Sequence, residues 1–360
     1  MPAQSQIDHE TFPVPTRVED ITASWLTHAL SRAYPGTVVT QVTQGAIVSG
    51  GATKVRLLLE YNWAGHRHRL PPSLWFKGGL EAHSQTAPVL EGNASEVGFY
   101  TELAPALSLD VPQVLVAFRD PVSGASAMLM EDLLARNVQF GHATRPLSPD
   151  QLAHVLDQLA GLHRTFWERD VSVFSFLAPG GSLITGGVLD AMYDIENWEW
   201  CRWRNRGAGL VGLFDDRDEL ARRVMTLMLH DADHANTIVH GDPHPGNLYF
   251  APGRGPALLD WQTVMHGYWA HDVAYALMTG LSVKDRRACE RELVDYYIAA
   301  LAASGIKLER TGAFDDVTRH YLFGVGWALC RPEWHADDVS DAFAERTLAA
   351  IRDHDSYNRW

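Results

Sequence analysis

The segment Ile238–Phe250, IVHGDPHPGNLYF, places polar side chains between apolar runs, and Ala257–Gln262, ALLDWQ, ends a later apolar run with another acid. Asp242 stands five residues before Asn247 and 18 residues before Asp260. Phosphoryl transfer from a nucleotide needs a carboxylate beside the acceptor hydroxyl, and an amide oxygen and a second carboxylate that hold Mg²⁺ against the phosphates. The return of the chain between Asn247 and Asp260 would bring two such ligands to one point. The residue types and their spacing therefore fit phosphoryl-transfer chemistry.

Two other interpretations of this loop stay open. His240, Asp242 and His244 carry possible transition-metal ligands, and in an extended segment the alternation of side chains would put all three on one side. Pro243 and Pro245 exclude a helix, so the two histidines cannot share a helical face. The remaining interpretation is a polar turn between strands, although a loop this rich in His, Asp and Asn is unusual without chemistry.

The motifs HGDPHPGN and LLDWQ resemble the catalytic loop and the metal-binding motif of the aminoglycoside phosphotransferase family. The same superfamily includes choline kinases and ecdysteroid-kinase-like proteins. DWQ, ITASWLTHAL and YLFGVGWALCRPEW are especially similar to bacterial ecdysteroid-kinase-like members. The likeness in element order extends over nearly the whole chain, while its specific motifs occupy few residues. The resemblance implies an α+β, two-lobed, protein-kinase-like fold that binds ATP or GTP and Mg²⁺.

The resemblance also implies roles for the polar residues of the two motifs. Asp242 would be the catalytic base, Asn247 a metal ligand and Asp260 the main metal ligand. Gln262 departs from the protein-kinase pattern, in which a glycine closes the metal-binding motif. No activation loop follows it, because HGYWAHDVAYALM leads quickly into a helix. This departure favours a small-molecule acceptor over a protein acceptor.

Three further residues would support the loop rather than act in the reaction. By the resemblance, His240 and His244 shape the loop from within it. Asp272, in AHDVAYAL, resembles a family aspartate that braces the loop from the helix that follows.

Weaker matches lie in the N-terminal third of the chain. Lys77 ends the apolar run LWFKGG and resembles the lysine that contacts the α- and β-phosphates of the nucleotide. Glu96, 19 residues later in a predicted helix, resembles the acid that orients this lysine. The chain has only four lysines, so few residues could be the lysine that contacts the phosphates. Either residue alone would be an ordinary surface charge, but their order before the loop favours the functional interpretation.

Two more segments complete the predicted nucleotide site. The backbone amides of Ser49, Gly50 and Gly51 could cradle phosphates, although a plain hairpin turn explains this segment nearly as well. MLMEDL resembles the hinge of the kinase fold, where the backbone of Glu131 and Leu133 would bind adenine.

Hydrophobic periodicity predicts the elements that must position these residues. Glu19–Ser31 has the apolar spacing of a helix, and β-branched runs then predict strands joined by Gly, Asn and Pro turns. After Pro149 the pattern becomes helical, beginning with the amphipathic segment DQLAHVLDQLAGLHRTFW. We expect a β-rich nucleotide-binding lobe with a leading helix over 1–130, a hinge over 131–136, and a helical lobe with the catalytic and metal-binding loops over 137–360.

The tryptophan-rich segment NWEWCRWRNR predicts a wall of the acceptor pocket. Trp200 and Trp203 are three residues apart and would share one face of a helix, with Glu196 one turn before Trp200. Aromatic faces beside carboxylates could hold a flat apolar or cationic acceptor. The alternative, that these tryptophans belong to the core, stays open.

Composition limits the partners and the compartment. The net charge is −14, most of it in residues 131–360, and such a surface repels nucleic acids and anionic membranes. No apolar run reaches the roughly 18 residues that span a bilayer. The N-terminus lacks a signal-peptide pattern, and three scattered cysteines suggest no disulfide framework, so we expect a cytoplasmic protein. The sequence does not indicate an oligomeric state.

These observations predict a kinase that moves the γ-phosphate to a hydroxyl group of a small molecule. The acceptor stays open, since it would be bound by variable C-terminal helices. An aminoglycoside or macrolide kinase and a hydroxyacyl-CoA kinase are alternatives within the same chemistry. A nucleotide-binding pseudokinase or regulatory module is an alternative of another class.

Overall fold

The computed structural model describes residues 13–120, 122–178, 188–204, 206–210, 212–214 and 216–360. These residues divide into two compact units. The first contains the described residues up to Val97 together with Pro112–Asp132, and the second contains Gly98–Val111 and the described residues from Leu133 to Trp360. Residues 98–111, which lie within the range predicted for the N-terminal lobe, thus group with the second unit.

The first unit is built on a five-stranded antiparallel sheet with the strand order β1-β2-β3-β5-β4. The strands are β1 (Val39–Val48), β2 (Thr53–Tyr61), β3 (Ser73–Gly78), β4 (Val114–Arg119) and β5 (Ser126–Glu131). In β2 the side chains of Val55, Leu57 and Leu59 are buried, while the residues between them are half-buried or exposed. This period of two is what a sheet with one buried face requires.

Three helices accompany this sheet: α1 (Ala23–Ala33), α2 (Trp63–Arg67) and α3 (Ala87–Gly98). The helix predicted from Glu19 begins four residues later, because the Thr22 side chain caps it by accepting a hydrogen bond from the Trp25 backbone N–H at 3.1 Å. Trp25, Leu26 and Leu30 lie in the same apolar cluster as the buried residues of β2. The apolar face that the spacing predicted for α1 therefore packs against the sheet.

The second unit is mainly helical. Its helices are α4 (Pro149–Phe166), α5 (Val188–Met192), α6 (Ile195–Arg202), α7 (Gly207–Leu210), α8 (Arg217–Asp233), α9 (Trp269–Gly280), α10 (Val283–Ala302), α11 (Arg310–His320) and α12 (Asp337–His354). A 3-10 segment, Tyr321–Leu329, joins α11 to the residues before α12. The helix α4 begins as predicted, with Ser148 and Gln151 forming a reciprocal capping box.

Two small sheets in this unit hold the polar motifs. β6 (Gln139–Phe140), β8 (Leu248–Phe250) and β9 (Pro256–Leu258) form one antiparallel sheet in the order β6-β8-β9. β7 (Thr237–Val239) and β10 (Met265–Gly267) form the other. The loop with Asp242 therefore connects the two sheets, and Asp260 follows shortly after β9 ends.

The predicted α+β class, with a β-rich N-terminal unit and a mainly helical C-terminal unit, is confirmed. Within the part of the chain that the structure describes, no helix is both long enough and apolar enough to cross a bilayer.

Candidate active site

A single glycine sets the course of the loop between β7 and β8. Gly241 has a φ of 88°, and a Cβ atom there would lie 2.4 Å from the Thr263 carbonyl oxygen. A side chain is excluded both by the left-handed backbone and by this close approach. The loop can turn so sharply, with Asp242 directly after the bend, only because residue 241 is glycine.

The side chain of Asp272, on α9, braces the loop as predicted from the resemblance. It accepts hydrogen bonds from the backbone N–H groups of His240 at 2.7 Å and Gly241 at 2.8 Å. It also contacts His163 Nε2 at 3.1 Å, and His163 Nδ1 lies 2.6 Å from the Tyr297 hydroxyl. Burial opposes ionisation of Asp272, but the hydrogen bond from His163 outweighs it together with the nearby imidazoles and lowers the pKa of the carboxyl.

His240 supports the loop through both nitrogens of its ring. Its Nε2 lies 2.9 Å from the Leu259 carbonyl oxygen, and its Nδ1 accepts the backbone N–H of Asp242 at 3.2 Å. This pattern assigns the neutral Nε2–H tautomer, and burial lowers the pKa of His240 in agreement.

The geometry contradicts the transition-metal interpretation of the loop. Both nitrogens of His240 are engaged by the protein, so neither offers a lone pair to a metal ion. The expected extended alternation is also wrong, because the positive φ of Gly241 breaks it between His240 and Asp242.

The carboxylate of Asp242 is held by a neighbour in its own loop. The side-chain amide of Asn247 donates to the Asp242 backbone carbonyl at 2.9 Å and to its Oδ2 at 3.0 Å. The Asp242 side chain keeps 27% of its surface exposed. The surrounding protein nevertheless raises the pKa of Asp242 to about 6, mainly by burial, while the adjacent Tyr275 hydroxyl opposes this shift. His244 Nε2 lies 3.4 Å from Asp242 Oδ2, and burial lowers the pKa of His244 to about 4, so it is neutral at neutral pH.

The small sheet β6-β8-β9 places Asp260 close to the loop that carries Asp242. The backbone N–H of Leu259 donates to the Asn247 carbonyl at 2.8 Å, which joins the end of β9 to the end of the loop. Asp260 is near enough to raise the pKa of Asp242 through its charge. It has a left-handed backbone, with φ 60° and ψ 75°, which is uncommon for a residue other than glycine, although aspartate adopts it more readily than most.

The oxygens of Asn247 and Asp260 fit the needs of Mg²⁺. Because the Asn247 amide nitrogen is committed to Asp242, its side-chain oxygen points away from these bonds and can serve as a ligand. Asp260 supplies a carboxylate, and both residues are half-buried rather than sealed. Carboxylate and amide oxygens are the donors that Mg²⁺ prefers.

A cavity of about 170 Å³ opens in front of Asp242. Its wall includes the rings of Tyr275, Phe323 and Trp327. The Trp327 Nε1–H donates to the Tyr275 hydroxyl at 2.9 Å, and that hydroxyl adjoins Asp242. His335 also lines the cavity. Sequence reasoning assigned no role to these four residues, although Phe323 and Trp327 lie in YLFGVGWALCRPEW and Tyr275 lies about one helical turn after Asp272 in AHDVAYAL.

The structure does not bring Trp200 and Trp203 to this cavity. The helix α6 ends at Arg202, so Trp203 follows it and is 83% exposed. The Arg204 guanidinium lies 3.8 Å from the centre of the Trp200 ring. The buried tryptophan of this segment is instead Trp198, at 7% exposure.

In the first unit, Lys77 and Glu96 form the predicted ion pair. Lys77 Nζ lies 2.5 Å from Glu96 Oε2, and the two side chains are 5% and 1% exposed. A buried lysine is unfavourable without such a partner. The pairing of a lysine on β3 with an acid on α3 therefore follows the arrangement that the resemblance implied.

We expect Lys77→Met to lower the free energy of unfolding by about 3–5 kcal/mol, because it removes the cation that pairs with the buried Glu96 carboxylate. Glu96→Gln added to Lys77→Met should restore much of this loss. Urea unfolding of the two single variants, the double variant and the wild type would measure the coupling. Strictly additive losses would show that the two side chains do not depend on each other.

The predicted phosphate-binding turn lies between β1 and β2. Ser49, Gly50 and Gly51 form it and are exposed, and hydrogen bonds from Ser49 and Thr53 lower the pKa of Glu81. The structure thus places a carboxylate against this turn, which sequence reasoning did not foresee.

The two hinge residues lie on either side of the boundary between the units. Glu131 ends β5, and its backbone N–H donates to the Gln113 carbonyl at 2.8 Å. Leu133 begins the 3-10 turn Leu133–Arg136 and is buried. Their predicted contacts with adenine stay a prediction.

Comparison with known proteins agrees with this geometry. No curated protein sequence matches the chain. Among solved structures, it is similar to the GDP complex of a mutant of aminoglycoside 2′-phosphotransferase-IIIa, at 14% identity and a TM-score of 0.51, covering 94% of this chain and 99% of that one. It is also similar to spectinomycin phosphotransferase APH(9)-Ia in complex with ADP and spectinomycin, at 13% identity and a TM-score of 0.50, covering 93% and 99%.

At such low identities these likenesses show a shared fold. The sequence itself gives the stronger assignment, because the model of the phosphotransferase enzyme family (APH) matches residues 83–310. This match covers more than half of the chain and includes Glu96, the braced loop and Asp260. The chain therefore belongs to the phosphotransferase enzyme family.

Proposed function

We propose that this protein transfers the γ-phosphate of ATP or GTP to a hydroxyl group of a small molecule. The observation that carries the proposal is the grouping of Asp242, Asn247 and Asp260 on a rigidly braced loop beside a cavity. A partly exposed carboxylate faces the space for an acceptor, and two oxygen donors stand next to it. Few other chemistries need this combination.

In the proposed reaction, the acceptor hydroxyl oxygen forms a bond to the γ-phosphorus. The bond from that phosphorus to the β–γ bridging oxygen breaks, and the nucleoside diphosphate leaves. The Asp242 carboxylate accepts the hydroxyl proton. Mg²⁺ held by Asn247 and Asp260 would neutralise charge on the phosphates.

We assign the remaining nucleotide contacts to the first unit and the hinge. Lys77, oriented by Glu96, binds phosphate oxygens as a cation. The backbone of Ser49, Gly50 and Gly51 covers the phosphates, and the backbone of Glu131 and Leu133 binds adenine or guanine. The two similar structures contain GDP and ADP respectively, so we propose a purine nucleotide without a preference between them.

The alternative of a pseudokinase is less well supported. Such a module would have no use for a base, a metal-ligand pair and a paired lysine together. The aminoglycoside, macrolide and hydroxyacyl-CoA alternatives concern the acceptor, and they share the same transfer step.

Asp260→Asn tests the proposal. Asparagine tolerates the left-handed backbone of this position, so the fold should persist while one metal ligand loses its charge. We expect Mg²⁺ to strengthen ATP or GTP binding to the wild type, and this gain to fall by about 100-fold in the variant, equivalent to about 2.7 kcal/mol. Calorimetric titration with each nucleotide, with and without Mg²⁺, would measure it. An equal gain in both proteins would refute the assignment of Asp260.

A further inference from the structure

The cavity in front of Asp242 has a wall with very little charge. Among its described lining residues, Asp242 is the only acid and His335 the only base. The rest is mainly aromatic, aliphatic or sulfur-containing, with Tyr275, Phe323 and Met192 among its members. A ligand that enters it must therefore leave much of its hydration behind, and the only carboxylate it meets among the described lining residues is Asp242.

This wall is unsuited to a cationic acceptor. An ammonium group is strongly disfavoured in an apolar site unless a carboxylate pairs with it. The sole carboxylate of the described lining is Asp242, which as the proposed base contacts the acceptor hydroxyl instead. An aromatic cage could replace the carboxylate for a quaternary ammonium. However, Trp327 is only 6% exposed, and the rings of His244, His335 and Phe343 lie within 5.6 Å of its ring, so little of its face is open to a ligand.

The size of the cavity limits the part of the acceptor that it can enclose. Its volume of about 170 Å³ is close to that of apolar protein cavities of roughly 150 Å³ that bind benzene. Half-buried Phe323 and Met192 offer flat or flexible apolar contacts to such a ring. One six-membered ring therefore matches the volume of this partly open cavity and leaves its substituent beside Asp242.

We propose that the acceptor is an uncharged alcohol or phenol whose hydroxyl group adjoins a single six-membered ring. This inference rests on the proposed function, and it adds the class of molecule that the cavity accepts. It predicts that polycationic acceptors, such as aminoglycosides, are poor substrates, because the described lining offers their ammonium groups no carboxylate beyond the proposed base.

The first test measures binding without turnover. The probes are 4-fluorobenzyl alcohol, 4-(aminomethyl)benzyl alcohol, which keeps the hydroxyl group and carries an ammonium at the far end of the ring, and choline, each followed by ligand-observed NMR with the full chain. We expect 4-fluorobenzyl alcohol to bind at least about tenfold more tightly than either cation, since their charge would be desolvated away from Asp242. Tighter binding of either cation would overturn the inference.

A matched pair of variants then tests whether charge in the wall controls this selectivity. Met192→Glu adds a carboxylate to the wall, and Met192→Gln adds the same shape without the charge. Relative to Met192→Gln, Met192→Glu should favour 4-(aminomethyl)benzyl alcohol over 4-fluorobenzyl alcohol by about fivefold, as expected for a half-exposed ion pair. Leu229→Ala, on the exposed side of α8, is the control and should leave both affinities unchanged. An unchanged preference in Met192→Glu would show that the probes bind elsewhere and would overturn the inference.

Turnover separates this inference from the function on which it rests. Transfer of phosphate from ATP or GTP to benzyl alcohol, but not to kanamycin or choline, would support both. Tight binding of 4-fluorobenzyl alcohol with no nucleotide-dependent phosphorylation of any probe would overturn the proposed reaction. It would still support the inference that the cavity binds an uncharged alcohol. Efficient phosphorylation of kanamycin would overturn the inference and leave the reaction standing.

Discussion

Asp242→Asn is expected to lower kcat for phosphoryl transfer by about 10²–10⁴-fold, the range that general-base catalysis contributes. The amide is isosteric with the carboxylate and can still accept the hydrogen bond from Asn247, so the loop should keep its shape. It cannot take a proton from the acceptor. Steady-state kinetics with any accepted alcohol, together with nucleotide titrations, would separate the loss in kcat from any change in nucleotide affinity, which we expect to be small.

Asp233→Asn provides the control for this prediction. It makes the same chemical change at an exposed position at the end of α8, away from the loop, and should leave kcat unaltered. If Asp242→Asn retained turnover comparable to that of the control, Asp242 would not be the base.

Asp272→Ala should cause a large loss of stability, with a free energy of unfolding lower by about 3–5 kcal/mol. The substitution removes the acceptor for two backbone N–H groups, those of His240 and Gly241, and for the imidazole of His163. All are buried, so water does not readily replace the lost carboxylate. The midpoints of urea unfolding of the variant and the wild type would measure the loss, provided that the two proteins have the same m-value.

A second variant distinguishes bracing from general destabilisation. Asp272→Asn keeps one carbonyl oxygen for the loop and should be less destabilising than Asp272→Ala, while still lowering kcat because the loop loses one of its two restraints. Activity equal to the wild type in both folded variants would indicate that Asp272 only stabilises the unit.

The loop was predictable because its determinants are local. The features that decide its shape lie within a few residues of Asp242: Gly241, the prolines and the apolar runs on either side. The turn and the ends of the strands can therefore be predicted from the sequence. The same holds for α4, where Ser148 and Gln151 cap the helix from adjacent positions. The start of α1 was misplaced because the apolar spacing begins before Thr22, whose capping bond decides the boundary.

The cavity was not predictable, since its wall is assembled from distant parts of the chain. Met192, Tyr275, Phe323 and His335 share no spacing that a periodicity analysis would join. The local cluster of tryptophans was more conspicuous but less informative. Its helix ends at Arg202, which leaves Trp203 in solvent.

This origin of the wall has a consequence for how the protein can diverge. The loop with Asp242, the brace on α9 and Asp260 all lie between His240 and Asp272, whereas Met192, Phe323 and His335 come from segments before and after it. Mutations that accumulate in those outer segments can reshape the acceptor's surroundings while the reacting groups stay in place. New acceptors should therefore arise in a lineage, or in a library randomised at these three positions, without the phosphoryl-transfer machinery having to be invented again.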